Sequence, residues 1–309
     1  MLAIVAPGQG AQTPGFLTPW LTEQTFSERL DGLSTVVELD LRRLGTEADA
    51  DTIRDTAVAQ PLLVAAGLLA ADQLFPDGGF GPAGVAAGHS VGEITAAAGV
   101  GVLSAEDAMV FVRERGRSMA EAAAITPTSM TAVVGGKPDE VLAAIEAQGL
   151  TPANNNGSGQ IVAAGTMEQL AGLAQNPPPR ARLIPLSVAG AFHTVHMEPA
   201  VDHLTGLAES MTSHDPRSTL LSNADGQVVT VGAEVLRRLV GQVASPVRWD
   251  LCMATMSDLG VTGLLELPPA GTLTGIAKRN LKGVELFALN TPDQLSEARE
   301  FAALHGGAS

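Results

Sequence analysis

The sequence predicts an α/β fold in two parts: a large domain on a parallel sheet, and a small ferredoxin-like subdomain inserted into it. Strand-like and helix-like runs alternate through most of the chain, and such alternation implies a parallel sheet covered on both faces. Residues 128–187 break that rhythm with the order β-α-β-β-α-β, the ferredoxin-like pattern. The chain's 309 residues, 45% of them hydrophobic, exceed the usual single-domain size and supply apolar material for two lobes. The expected division is 1–127 with 188–309 for the large domain and 128–187 for the small one.

The elements follow in chain order. Leu2 to Ala6 is an apolar run of strand length. No basic segment accompanies it and polar chain follows at once, so it reads as a buried first strand rather than an export signal. Gln60 to Phe75 is a long apolar helix. Gly84 to Ala87 is a short buried strand, followed at once by a helix from Val91 to about Val100. Ser104 caps a further helix reaching about Ala123, with Glu106 and Asp107 in its first turn, where the helix dipole favours acids. In the insert, strands are expected at Met130–Val134, Thr151–Asn154, Gln160–Ala164 and Ala181–Leu186, and helices at Pro138–Gln148 and Met167–Gln175. Pro177-Pro178-Pro179 marks an exposed turn. Thr219 to Ser222, Gly263 to Leu267 and Leu286 to Leu289 are the later strands.

Composition narrows the function. Lys and Arg total 18 against 33 Asp and Glu, a net charge of −15, which excludes a general binder of nucleic acid or anionic membrane. No stretch approaches the roughly 18 apolar residues of a membrane span, so a soluble cytoplasmic protein is expected. The single cysteine, Cys252, excludes an internal disulfide and reads as a buried structural thiol in a helix-like run. No Cys/His cluster has metal-ligand spacing, so no metal is expected.

Gly88-His89-Ser90-Val91-Gly92 fits G-x-S-x-G, between a short apolar strand and a helix. The glycines allow a turn that side chains would block, and the turn presents the Ser90 hydroxyl at the sheet edge. The Val91 N–H, at the start of the following helix, can stabilise an oxyanion. Such an elbow makes the large domain α/β-hydrolase-like.

A serine nucleophile needs a base, and the chain has six histidines. His89 adjoins Ser90 on a tight turn and points elsewhere. His203 sits in a helix-like run, His214 in a Ser-His-Asp-Pro turn and His305 in the C-terminal tail. His193 and its rival His196 remain, His193 lying in Gly190-Ala191-Phe192-His193-Thr194 directly after the insert's last strand. Between Ser90 and His193 the only aspartates, Asp107 and Asp139, fall in first turns of helices, and the glutamates look helical or surface-bound. A Ser–His dyad oriented by a neutral acceptor is therefore expected. Arg115 falls within the apolar stripe Ala108, Phe111, Val112, Met119 and Ala122. A buried guanidinium needs a carboxylate partner, either an internal Asp or Glu or the carboxylate of a substrate.

Five ordered segments carry a resemblance over essentially the whole chain. They are Pro7-Gly8-Gln9-Gly10-Ala11-Gln12, Gly88-His89-Ser90-Val91-Gly92-Glu93, Arg115-Gly116-Arg117-Ser118-Met119, Ala191-Phe192-His193 and Gln242-Val243-Ala244-Ser245-Pro246-Val247. In these, and in the place of its insert, the sequence resembles the malonyl-CoA:acyl carrier protein transacylase family. Ile94 departs from it, standing where many relatives carry Tyr.

The resemblance implies Ser90 as nucleophile and His193 as base, with the Gln9 and Val91 backbone amides as the oxyanion hole. Arg115 would grip the malonyl carboxylate. Gln242 would orient His193 through its main-chain carbonyl and line the acyl pocket with its side chain. The implied reaction takes malonyl-CoA, holds malonyl as a serine ester, and passes it to the phosphopantetheine thiol of acyl carrier protein. Extender units for fatty acid synthesis, with polyketide synthesis as a second outlet, would be the product. Coenzyme A thioester is then a substrate, no tightly bound cofactor is expected, and no motif demands more than a monomer. Phe192 is expected as a steric gate against an α-methyl group. Docking an acidic carrier on an acidic enzyme requires a local basic patch, for which Arg180, Arg182, Lys278, Arg279 and Lys282 are candidates. A serine hydrolase such as a thioesterase, using the same elbow, is the alternative; the position of Arg115 and the missing triad acid count against it. Intact Ser90, His193 and Arg115 count against a non-catalytic carrier-binding module.

Overall fold

The computed structural model describes residues 1–306. β1 (Leu2–Ala6) is buried along its whole length, as a central parallel strand between helical layers must be. Two helices follow, α1 (Gln24–Val37) and α2 (Leu41–Thr46), which the sequence reading does not single out. α3 (Thr56–Leu74) starts a turn before the expected Gln60, because the Asp55 carboxylate caps it by accepting from the Ala57 N–H. Pro61 therefore falls inside the helix.

The expectation that no stretch approaches membrane-spanning length and apolarity is corrected by α3. This 19-residue helix has a mean hydropathy of 1.4 over its best window, but 78% of that window is buried within the protein. A helix apolar all round belongs in a core, and α3 packs against α1, α4 (Gly92–Gly99) and α5 (Ala105–Ile125). Leu62, Val64 and Leu69 are fully or almost fully buried there, each burial contributing about 1.5–3 kcal/mol relative to exposure. Ser104 caps α5, its hydroxyl accepting from the Asp107 N–H at 3.0 Å. Between α3 and α4 runs β2 (Val85–Gly88).

The rhythm changes at β3 (Thr128–Gly135), followed by α6 (Pro138–Ala147), β4 (Thr151–Asn155), β5 (Gln160–Thr166), α7 (Met167–Gln175) and β6 (Ala181–Pro185). These strands are ordered β6-β3-β5-β4 and are antiparallel throughout, the ferredoxin-like arrangement. The triple-proline turn is exposed only at Pro177 and Pro179; Pro178 is buried.

The chain then continues through α8 (Glu198–Ser210), β7 (Thr219–Leu221), β8 (Val228–Val229), α9 (Gly232–Gly241), β9 (Val247–Arg248), α10 (Trp249–Asp258), β10 (Gly263–Glu266), α11 (Thr272–Asn280), β11 (Glu285–Ala288) and α12 (Leu295–His305). The large sheet is ordered β11-β10-β1-β2-β7-β8 and is parallel except for the β7–β8 hairpin. β9 pairs parallel with β4 and so lends the small sheet a fifth strand from the later part of the chain. β8 and β9 are two residues long, too short for any periodic signal. His305, expected in a tail, ends α12 instead, buried and hydrogen-bonded to the Thr262 hydroxyl.

This topology places the site. β1, β2 and β7 are parallel, so their carboxyl ends share one edge of the sheet, where α/β proteins hold their ligands. The segments leaving that edge carry Gln9, Ser90 and Asn223.

Candidate active site

The elbow is a problem of space solved by two glycines. A Cβ on Gly88 would lie 2.0 Å from the Gly92 carbonyl, and one on Gly92 would lie 2.2 Å from the Ala6 carbonyl oxygen. The turn is thus pressed onto itself and onto the end of β1, and Ser90 is forced to a left-handed φ of 53°. Asn223, just beyond β7, clasps it. Its Oδ1 accepts from the Ser90 N–H at 2.8 Å, and its Nδ2 donates to the Gly88 carbonyl at 2.8 Å.

His193 also has a left-handed φ, 62°, in the loop between β6 and α8. Its own N–H donates to the Val243 carbonyl at 3.0 Å. The ring bridges Gln242 and Ser90: Nδ1 lies 2.7 Å from the Gln242 carbonyl oxygen, and Nε2 lies 2.8 Å from Ser90 Oγ. A carbonyl only accepts, so Nδ1 carries the proton and Nε2 is left to accept from the serine hydroxyl. Burial, reinforced by the nearby Arg115 charge, pushes the imidazole pKa down to about 3. The ring is therefore neutral at physiological pH. His196, the rival, lines a separate and larger hollow of about 600 Å³ between the ends of α5 and α8. His203 instead meets Glu114 at 3.1 Å on an exposed face.

Arg115 is 1% exposed, and of its two expected partners the internal Asp or Glu makes no direct contact with it among the described residues. Nη1 donates to Gln60 Oε1 and Nη2 to Gln242 Oε1, each at 2.7 Å. Nη2 also reaches Ser90 Oγ at 3.4 Å, and Nε has no hydrogen-bond partner among the described residues. The acid that balances its charge is Glu93, buried in the first turn of α4 and joined to it across the Gln242 amide. Burial lowers the Arg115 pKa to about 10, so the guanidinium stays charged at neutral pH.

The Gln242 side chain is engaged in this buried network, its Oε1 held by the same Arg115 nitrogen that reaches Ser90 Oγ. A cavity lies over Ser90. That cavity, about 210 Å³, is bounded by Gln9, Gln60, Ser90, Phe192 and His193 on the large-domain side. Met130, Ala132 and Val162 of the small sheet, Asn156 in the turn after β4 and Leu273 of α11 close the other side. His89 faces the small sheet, its Nε2 lying 2.9 Å from Asn156 Oδ1. Neither the Gln9 nor the Val91 backbone N–H donates to another group among the described residues.

Asn223, Glu93 and Gln60 escape the sequence reading. Asn223 and Gln60 carry a signal: a polar residue just after a short strand, and an amide in the apolar middle of a helix. Glu93 looked like an ordinary first-turn acid. The glutamates between Ser90 and His193 were expected to be helical or surface-bound; Glu93 is helical but 3% exposed.

An elbow serine against a neutral imidazole, over a parallel sheet with a ferredoxin-like insert, defines an α/β enzyme that carries acyl groups on serine. Residues 4–297 match the family of the acyl transferase domain. The chain is 50% identical over 298 residues to the malonyl CoA-acyl carrier protein transacylase of Mycobacterium tuberculosis (strain ATCC 25618 / H37Rv), covering 96% of this chain and 99% of the relative. The crystal structure of MCAT from Mycobacterium tuberculosis matches it with a TM-score of 0.93 at 49% identity, over 97% of this chain and 99% of that one. A type II PKS acyl-carrier protein in complex with its malonyl-transacylase matches with a TM-score of 0.89 at 30% identity, over 97% and 99%. The chain belongs to the malonyl CoA-acyl carrier protein transacylase family.

Proposed function

We propose that this enzyme transfers a malonyl group from malonyl-CoA to the phosphopantetheine thiol of acyl carrier protein, through a malonyl ester on Ser90. The observation that carries the reading is the convergence on one atom: Ser90 Oγ has His193 Nε2 at 2.8 Å and Arg115 Nη2 at 3.4 Å. His193 Nε2 takes the hydroxyl proton as Oγ attacks the thioester carbonyl. The Gln9 and Val91 N–H groups hold the oxyanion. Its collapse breaks the C–S bond, and the coenzyme A thiolate leaves with the proton from Nε2. The carrier thiol then gives its proton to Nε2 and attacks the ester, and collapse returns the proton to Ser90 Oγ. Every step moves only a proton and an acyl group, so coenzyme A thioester enters as substrate.

Arg115 selects for the free carboxylate of malonyl, which takes the place of an amide oxygen on the guanidinium; a bidentate carboxylate pair is the stronger bond. Phe192 bounds the acyl cavity beside His193. We further take 1–127 with 188–309 and 128–187 as two units, the acyl cavity opening between them, in a cytoplasmic enzyme. Arg180, Arg182, Lys278, Arg279 and Lys282 are all exposed, and they are the proposed contacts for an acidic carrier protein.

The test is intact mass after mixing with malonyl-CoA, alongside acetyl-CoA and a Ser90→Ala control. A malonyl adduct is expected, with acetyl-CoA reacting far more slowly and no adduct in the variant. Steady release of free coenzyme A with no adduct would turn the reading to a hydrolase.

A further inference from the structure

Glu93 belongs to none of the roles above, yet it touches the machinery on two sides. Its carboxylate accepts from the Asn223 N–H on both oxygens, at 3.3 Å, and from Gln242 Nε2. Arg115 only donates, so the Gln242 amide turns its oxygen to Arg115 and is left with its nitrogen toward Glu93. That orientation holds Gln242 in place, and the same residue's main-chain carbonyl orients the His193 ring. On the other side, Asn223 holds the Ser90 N–H and the Gly88 carbonyl. Glu93 makes no direct ion pair among the described residues; the Arg115 charge reaches it across Gln242. A buried carboxylate held this way costs stability. Burial raises its pKa to about 7, against the hydrogen bonds from Asn223 and Gln242.

We propose that Glu93 is a positioning residue for acyl transfer: through Gln242 it sets the Arg115 guanidinium and the acceptor that orients His193, and through Asn223 it sets Ser90. The proposal rests on the roles given above to those three residues. It explains how an arginine remains charged and aimed before a substrate carboxylate arrives. The network gives it two amide oxygens it can exchange and a remote counter-charge, where a direct carboxylate partner would compete with substrate.

The test is Glu93→Gln in the full chain, read by the rate of malonyl-adduct formation, the malonyl-to-acetyl ratio of those rates, and the KM for malonyl-CoA. Malonyl acylation should fall on the order of 10- to 100-fold, the cost of a misplaced reacting group. The malonyl-to-acetyl ratio should fall with it and KM should rise, while the Tm at pH 8 is held or raised. A Glu93 that merely ties β7 to α4 would instead lower the Tm and leave rate and ratio unchanged in the folded fraction. Wild-type rate and ratio in folded Glu93→Gln overturn the proposal. Should that variant not fold, Glu93→Asp, which withdraws the carboxylate by one methylene, carries the same readouts and the same overturning result. Failure of the wild-type protein to form any malonyl adduct would overturn the Ser90 reading, and this proposal with it.

Discussion

Ser90 and His193 meet at 2.8 Å, Oγ to Nε2, and both hold a left-handed backbone, with φ of 53° and 62°. Each such residue costs about 1–3 kcal/mol and persists only where its surroundings over-determine it. Asn223 does this for Ser90, and the Gln242 and Val243 carbonyls do it for His193. The strain aims two side chains, one before and one after the ferredoxin-like subdomain in the chain, at one point.

The elbow glycines set that aim for Ser90. Gly88→Ala would drive a Cβ into the Gly92 backbone, which cannot rotate away as a side chain can. We expect a loss of about 3 kcal/mol or more in stability, together with loss of the malonyl adduct. Thermal melts and intact mass check both. A variant that melts and acylates like wild type would mean that the turn has room to open.

The neutral imidazole predicts an unusual pH profile. An ordinary histidine loses half its basic form at its usual pKa of 6.5, but His193 stays neutral down to about 3. In Glu93→Gln, which lacks the carboxyl that titrates at about 7, the remaining rate of Ser90 acylation by malonyl-CoA should therefore not fall with an apparent pKa near 6.5 as the pH is lowered to 5. The sign for stability follows. The unfolded ring binds a proton below 6.5 and the folded ring does not, so His193 withdraws stability as the pH falls from 6.5 toward 3 and contributes nothing above 6.5. Stopped-flow acylation of Glu93→Gln showing a midpoint at 6.5 would contradict the burial argument.

Glu93 has the opposite slope. Its carboxyl ionises at about 7 in the fold against 4.5 for an ordinary glutamate, so stability is lost as the pH rises from 4.5 to 7 and the loss is complete above 7. Glu93→Gln lacks this dependence. The stability of wild type relative to Glu93→Gln should drop by roughly 3 kcal/mol across that window. Urea denaturation at pH 4.5 and 8 measures it, and a pH-independent difference would refute the buried ionisation.

These cases show where the sequence was readable. The elbow was legible because close approach writes itself as glycine at fixed spacing, and Arg115 because a charge in an apolar stripe is conspicuous. Its partners were not. A carboxylate was the natural expectation, whereas the fold supplies amide oxygens from Gln60 on α3 and from Gln242 far along the chain. Asn223 and Glu93 look like any polar residue after a strand and any acid in a helix's first turn; their roles arise from juxtaposition across 130 residues. The ferredoxin-like order was readable from element succession, but β9 was not, since two residues leave no pattern.

Arg115 is tested by its geometry. Separate Nη atoms hold Gln60 and Gln242 at 2.7 Å each, a fork that one ammonium cannot span. Arg115→Lys should lower kcat/KM for malonyl-CoA on the order of 100-fold, equivalent to about 2.7 kcal/mol of lost charge-assisted bonding. Acetyl transfer, which has no carboxylate to hold, should change much less. Competition between the two thioesters reads the difference; an equal fall for both would assign Arg115 to general architecture rather than to selection.

Phe192 is 6% exposed, lines the cavity over Ser90 and precedes His193, and its proposed role is to limit what can sit on the α-carbon of an acyl group bound at Ser90. Discriminating one methyl is worth about 1–3 kcal/mol in a pocket, which sets a preference rather than an exclusion. Phe192→Ser should raise the methylmalonyl-to-malonyl ratio of kcat/KM by about tenfold. Removing a buried ring also costs stability, about 3–5 kcal/mol for such truncations. The ratio is immune to that loss, because both substrates compete for the same folded molecules and the active fraction cancels. An unchanged ratio would move the barrier to the opposite wall, where Met130 and Leu186 bound the same cavity.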